Sequence, residues 1–184
     1  MGRGSVAKDP VNFPLLAGYF GFGNAGDEMI LQLLQDRLGP APYLSGPRPH
    51  HPLDIPRFNL IKILKNLIRS RALVLGGGEL YQSRTSFRSL AYYLTLPLLA
   101  RALGRPVLGF SLALDPELGP WSRALTGFVL RKALGVWVRD HTSRRFLEQS
   151  GLAPQQMPDV VWAWPVPTLT PPPSLRRVLW IPRW

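Results

Sequence analysis

Short apolar runs alternate along this chain with longer amphipathic stretches, the pattern of βα units feeding a parallel sheet. The apolar runs predict strands near 15–20, 41–45, 72–76, 106–111, 135–139 and 157–161. The amphipathic stretches predict helices near 26–38, 56–70, 87–103, 119–134 and 141–150. Gly104 and Gly151 stand where the third and fifth helices should stop. Leu90 to Ala100 is too short to span a bilayer, contains Pro97 and ends at Arg101, so it reads as a buried helix. The expected architecture is α/β, an open Rossmann-like, doubly wound parallel sheet over residues 1–165. From residue 166 to 184 a proline-rich linker runs into Arg177–Ile181, a strand that reads as the opening of a further, C-terminal domain or, alternatively, as one folding back onto the sheet edge.

The first strand leads into GYFGFGNAGDE, where Gly21-Phe22-Gly23-Asn24-Ala25-Gly26 has the glycine spacing of a dinucleotide-binding loop between a strand and a helix. The next two residues argue against that ligand. Asp27 and Glu28 would lie in the first helical turn, where carboxylates repel a pyrophosphate. The acidic residue expected to hold a ribose about 20 positions on is missing from YLSGPR (43–48). The loop suits a neutral ligand rich in hydroxyls.

Composition narrows the chemistry. The 184 residues include no cysteine, which excludes a disulfide frame, a thiolate nucleophile and a zinc–thiolate centre. Formal net charge is +11, but 18 of the 22 basic residues are arginines, scattered in nothing longer than a pair and without a nucleic-acid motif. That distribution points to no nucleic-acid partner, and leaves room for a basic cleft taking an anionic small molecule. The N-terminus has no secretory signal and nothing reaches the length of a membrane span, so a cytoplasmic location is expected.

Ligands of open α/β sheets bind beyond the carboxyl ends of the strands. There the sequence places Asn24, Gly26, Asp27 and Glu28, then Gly77, Gly78, Glu79 and Gln82 of GGGELYQS, then Ser111 and Asp115, Arg139 and Asp140, and Asp159. The three glycines allow either a ligand or another loop to approach, or make a purely structural turn, and no Gly-Lys-Ser/Thr follows to make a P-loop. Asp140, opening a helix, reads most simply as an N-cap. His50 and His51 lack a third ligand at suitable spacing and read as solvated, so no metal site is expected. No Ser-His-Asp set or HExxH appears.

The pieces GYFGFGNAGDEMIL, LVLGGGELYQSRTSFRSLAYYL, LGRPVLGFSLALDPELGP, VWVRDHTSRRFLEQSGL and PDVVWAWP resemble, in order, the N-terminal half of the polysaccharide pyruvyl transferase family, of the CsaB type. The resemblance implies one half of a GT-B-like enzyme of two Rossmann-like domains. Such an enzyme needs no cofactor and moves pyruvate from phosphoenolpyruvate onto a lipid-linked or polymer sugar, N-acetylmannosamine in a cell-wall polymer, as a 4,6-ketal; the product anchors S-layer proteins. It maps the family's acidic pair onto Asp27 and Glu28 as the catalytic pair, which would orient the acceptor hydroxyls with one acting as base, and implies donor-side His, Arg and Lys in a C-terminal half. Asn24, Gly26, Gly77, Gly78, Glu79, Gln82, Arg139 and Asp140 at the strand ends make the expected substrate-binding set. The chain departs from the family's Gln-Gly-x-Gly-Pro-like stretch, reading FSLALDPELGP. Two other readings share these features: a GT-B nucleotide-sugar glycosyltransferase fragment, and a non-catalytic basic module binding cell-wall polymer.

Overall fold

The computed structural model describes residues 13–46, 51–82 and 87–165. Seven strands form one sheet in which every pairing is parallel: β1 Leu15–Phe20, β2 Tyr43–Ser45, β3 Asp54–Pro56, β4 Leu73–Tyr81, β5 Val107–Leu114, β6 Gly135–Val138 and β7 Gln155–Gln156. Their order is β3-β2-β1-β4-β5-β6-β7, the Rossmann order extended by one strand. The helices are α1 Ala25–Leu38, α2 Leu60–Arg69, α3 Phe87–Ala102, α4 Pro120–Leu130 and α5 His141–Gln149, followed by a short 3-10 helix at Val160–Ala163. None of the described helices is long and apolar enough to cross a membrane.

The strand pleat sorts the core into two layers. Leu15 and Ala17 of β1 and Leu73 and Leu75 of β4 pack with Ile63, Leu67, Leu90, Val129 and Phe146 from α2 to α5. Leu16, Phe20 and Val74, facing the other way, pack with Ile30, Leu31 and Leu34 of α1 and with Val160 and Val161. The sheet is therefore covered on both faces, which is why its central strands read as continuous apolar runs rather than alternating ones.

Three expectations need correction. The helix expected from residue 56 starts at Leu60, because Asp54–Pro56 first pairs with β2 as an edge strand, and Asn59 then caps the helix by accepting from the Lys62 amide at 3.0 Å. The segment 157–161 is not the last strand; Gln155–Gln156 pairs with β6, and Asp159 starts the 3-10 helix by accepting from the Val161 amide at 3.1 Å. Gly76, Gly77 and Gly78 are not a turn after a strand but part of β4, paired with β5. The strand expected at 177–181 and the linker before it lie outside the described residues.

Ser111 in β5 is the one non-glycine described with positive φ, at 53°. It is fully buried, and its hydroxyl accepts from the Val160 amide at 3.2 Å, tying the 3-10 helix to the sheet.

The core predicts its own sensitivity. Leu75→Ala, at a fully buried site in the central strand, should lower unfolding free energy by about 2–5 kcal/mol. Leu134→Ala, at a site 74% exposed, should change it by less than about 0.5 kcal/mol. Denaturant titration of both variants checks this; equal losses would contradict the assigned core.

Candidate functional site

Sheet topology determines where a cleft opens. β1 and β4 are neighbours paired from Leu15–Leu73 only as far as Ala17–Leu75, after which β1 continues alongside β2 and β4 alongside β5. The chain order reverses at this point, and the strands part at their carboxyl ends. A cleft of about 560 Å³ lies there, walled by residues of the first loop and α1, the end of β4, α3, and the segment after β6.

The glycine-spaced loop is satisfied by its own side chains. Gly21 and Gly23 take φ of 77° and 76°, the left-handed conformation that glycine adopts without strain. Asn24 caps α1, its side-chain oxygen accepting from the Gly26 amide at 3.0 Å. Glu28 reaches back so that one carboxylate oxygen accepts from the Gly21 amide at 2.7 Å. Two amides that would otherwise face an anion are thus engaged, in agreement with the sequence reading that the loop has the shape but not the charge for pyrophosphate.

Asp27 points the other way, into the cleft, and is only 8% exposed. Glycine at position 78 makes room for it: a Cβ there would lie 2.8 Å from the Asp27 Oδ1, and φ of 78° already disfavours a side chain. Gly77 does the same for Ile30, whose Cδ1 would be 2.5 Å from an added Cβ. Burial pushes the Asp27 carboxyl from 3.8 up to about 6; Arg139 pulls it back, while the charges of Glu28 and Asp159 push it up. A carboxyl so placed exchanges protons near neutrality.

Arg139 is the one Lys, Arg or His among the described residues lining the cleft. It follows β6, and its Nη1 donates to Asp159 Oδ2 at 2.6 Å, both side chains being about three-quarters buried. Asp159 in turn starts the 3-10 helix, so this ion pair joins two walls of the cleft. Asn24, Gly26, Glu79 and Gln82 also line it.

Three of the expected site residues lie elsewhere. Glu28 braces the first loop, and Gly77 packs under Ile30. Asp140 caps α5 with both oxygens, Oδ1 accepting from the Ser143 amide at 2.7 Å and Oδ2 from the Ser143 hydroxyl at 2.8 Å. The same hydroxyl accepts from the Leu114 amide at 2.8 Å, so this cap also fastens the end of β5. Asp115 Oδ1 accepts from the Glu117 amide at 2.9 Å, and His51 Nδ1 from the Leu53 amide at 3.2 Å, both local turn contacts. His50 lies outside the described residues.

The structure adds Tyr19, Ser89 and Tyr93 to the walls. Tyr93 hangs from α3, donates to the Gly18 carbonyl at 2.8 Å, and burial pushes its phenol up, so it stays neutral. Tyr19 is the exposed member of an otherwise buried strand and stacks on Phe22, with ring centroids 4.2 Å apart. The aromatic at the end of an apolar run was the available signal for it.

The polysaccharide pyruvyl transferase family model matches residues 24–182. The chain belongs to the polysaccharide pyruvyl transferase family. The match takes in every lining residue of the cleft except Tyr19, and it favours the pyruvyl transferase family over the nucleotide-sugar glycosyltransferases. No curated protein and no solved structure matches the chain.

Two substitutions separate site from scaffold. Because the folded state holds the Asp27 proton more tightly than the unfolded chain, its burial penalty is absent below about pH 4, grows through about pH 6 and is complete above it. Asp27→Asn should therefore flatten the fall in stability over that window and gain about 2 kcal/mol at pH 7; an unchanged pH profile would contradict the buried position. Asp140→Ala should instead cost about 1–2 kcal/mol at all pH values above the carboxylate range, as loss of a helix cap does.

Proposed function

We propose that this pyruvyl transferase family member binds the sugar acceptor in the β1/β4 cleft, with Asp27 as the base that receives an acceptor hydroxyl proton. The observation that carries the reading is a carboxyl raised to about 6, buried within the field of the cleft's one described cation. Asn24, Glu79 and Gln82 offer hydrogen-bond partners for the remaining hydroxyls, and Tyr19 offers a ring face for the sugar's apolar side. Glu28 holds the loop, and Asp140 and Gly77 support the walls.

The donor is phosphoenolpyruvate, and the acceptor an N-acetylmannosamine-type sugar of a lipid-linked or polymeric cell-wall saccharide. Two acceptor hydroxyl oxygens form bonds to C2 of the donor, its methylene carbon gains one of their protons, and the phosphate leaves with the other. Arg139 stands where an anionic carboxylate or phosphate would approach Asp27, stabilising charge as it develops. Further cations for the donor come from a C-terminal half beyond this Rossmann-like unit, so the 184-residue chain alone should form little or no ketal.

Saturation-transfer NMR of the chain with an N-acetylmannosamine-containing saccharide tests the acceptor site. Asp27→Ala should weaken binding by about tenfold or more, the equivalent of one charge-assisted hydrogen bond, whereas Asp140→Ala should leave it unchanged. Sugar binding indifferent to Asp27 would remove the acceptor assignment. Robust ketal formation from phosphoenolpyruvate by the chain alone would remove the division of labour between halves.

A further inference from the structure

Helix α2 presents an outward face that the sheet does not use. Ile63 and Leu67 are buried against the core, while Ile61 and Ile68, seven residues apart and so on one line of the helix, are 68% and 52% exposed. Beside that line stand Lys62, Lys65 and Arg69, all exposed, and the helix contains no Asp or Glu. Only four of the chain's 22 basic residues are lysines, and two of them are here. Leu60 at the helix start and Phe58 just before it add further exposed apolar side chains, at 56% and 79%.

A hollow of about 520 Å³ opens at that start, walled by Arg57, Phe58 and Ile61. Arg57 is 8% exposed, its Nε has no hydrogen-bond partner among the described residues, and its guanidinium lies within 6 Å of five aromatic ring centres. Two of those rings, Tyr19 and Tyr93, belong to the cleft, and two others, Phe58 and Tyr92, face the α2 side. The exposed face of α2 therefore begins one side chain away from the acceptor cleft.

We propose that the outer face of α2 is a docking surface for an anionic lipid bilayer. Exposed aliphatic and aromatic side chains interleaved with lysine and arginine are what an interfacial helix needs, the apolar tips entering the headgroup boundary while the cations meet lipid phosphates. A nucleic acid would use the cations and leave the isoleucines idle, and protein interfaces are depleted of lysine. The inference rests on α2 alone and is independent of the acceptor chemistry. It adds that the cleft works beside a membrane surface.

Vesicle flotation of the 184-residue chain tests it, comparing phosphatidylcholine alone with phosphatidylcholine mixed with phosphatidylglycerol. Binding should require the anionic lipid. Lys62→Glu with Lys65→Glu should weaken it by well over tenfold, since each cation at such a surface contributes about fivefold. Ile61→Ser with Ile68→Ser should weaken it as well, while Lys132→Glu with Arg145→Glu, an equal charge change at exposed sites on other elements, should not. Circular dichroism confirms that each variant is folded. An equal loss in the Lys132/Arg145 pair would reduce the effect to net charge, and indifference to the isoleucines would reduce it to polyelectrolyte attraction. Absence of anionic-vesicle binding, or a DNA duplex bound in preference to vesicles and lost with the same lysines, would overturn the proposal.

Discussion

The parting of β1 from β4 beyond Ala17 and Leu75 is the constraint on which the cleft depends. A parallel sheet whose order reverses must separate two neighbouring strands at their carboxyl ends, because their connections leave in opposite directions. Here α1 departs toward β2 on one side and β4 continues along β5 on the other. The gap admits the first turn of α1, and with it a carboxyl that could not otherwise be buried so near the sheet. Glycine at 76, 77 and 78 lets β4 lie against that turn: Leu34, Phe20, Ile30 and Asp27 occupy the space that side chains would fill. A short run of missing side chains thus sets both the packing of α1 and the environment of Asp27.

Much of this was legible because it is local. The apolar runs marked β1, β2, β4, β5 and β6, and the Asn24-Ala25-Gly26-Asp27 step marked the helix whose acid faces the cleft. What escaped was set by tertiary pairing. The strand at Asp54–Pro56 has three residues and exists because β2 offers it an edge, and the two-residue β7 is held by β6 in the same way. The division of labour between Asp27 and Glu28 was equally invisible, since adjacent helical side chains project about 100° apart and only the loop's fold decides which one meets Gly21. Tyr93 could not be assigned because its contact with Gly18 spans 75 residues.

Among the described residues, the backbone is strained at one non-glycine position, inside β5. Ser111 keeps a positive φ that glycine would adopt freely, and in exchange its hydroxyl holds the amide of Val160. That contact, with the Arg139–Asp159 pair, fixes the segment forming the far wall of the cleft. Local strain and wall position are therefore coupled: the serine gives the 3-10 helix an attachment that a glycine could not supply.

Glu28 gives the loop a different kind of selectivity. Its carboxylate is tethered seven residues from the amide it occupies, so it acts as a built-in competitor present at high effective concentration whatever the solution contains. A free phosphate arriving at Gly21 must displace a ligand that never diffuses away and must do so beside a second acid. The loop keeps the shape of an anion cradle while remaining closed to phosphates, and discrimination against them requires no steric barrier.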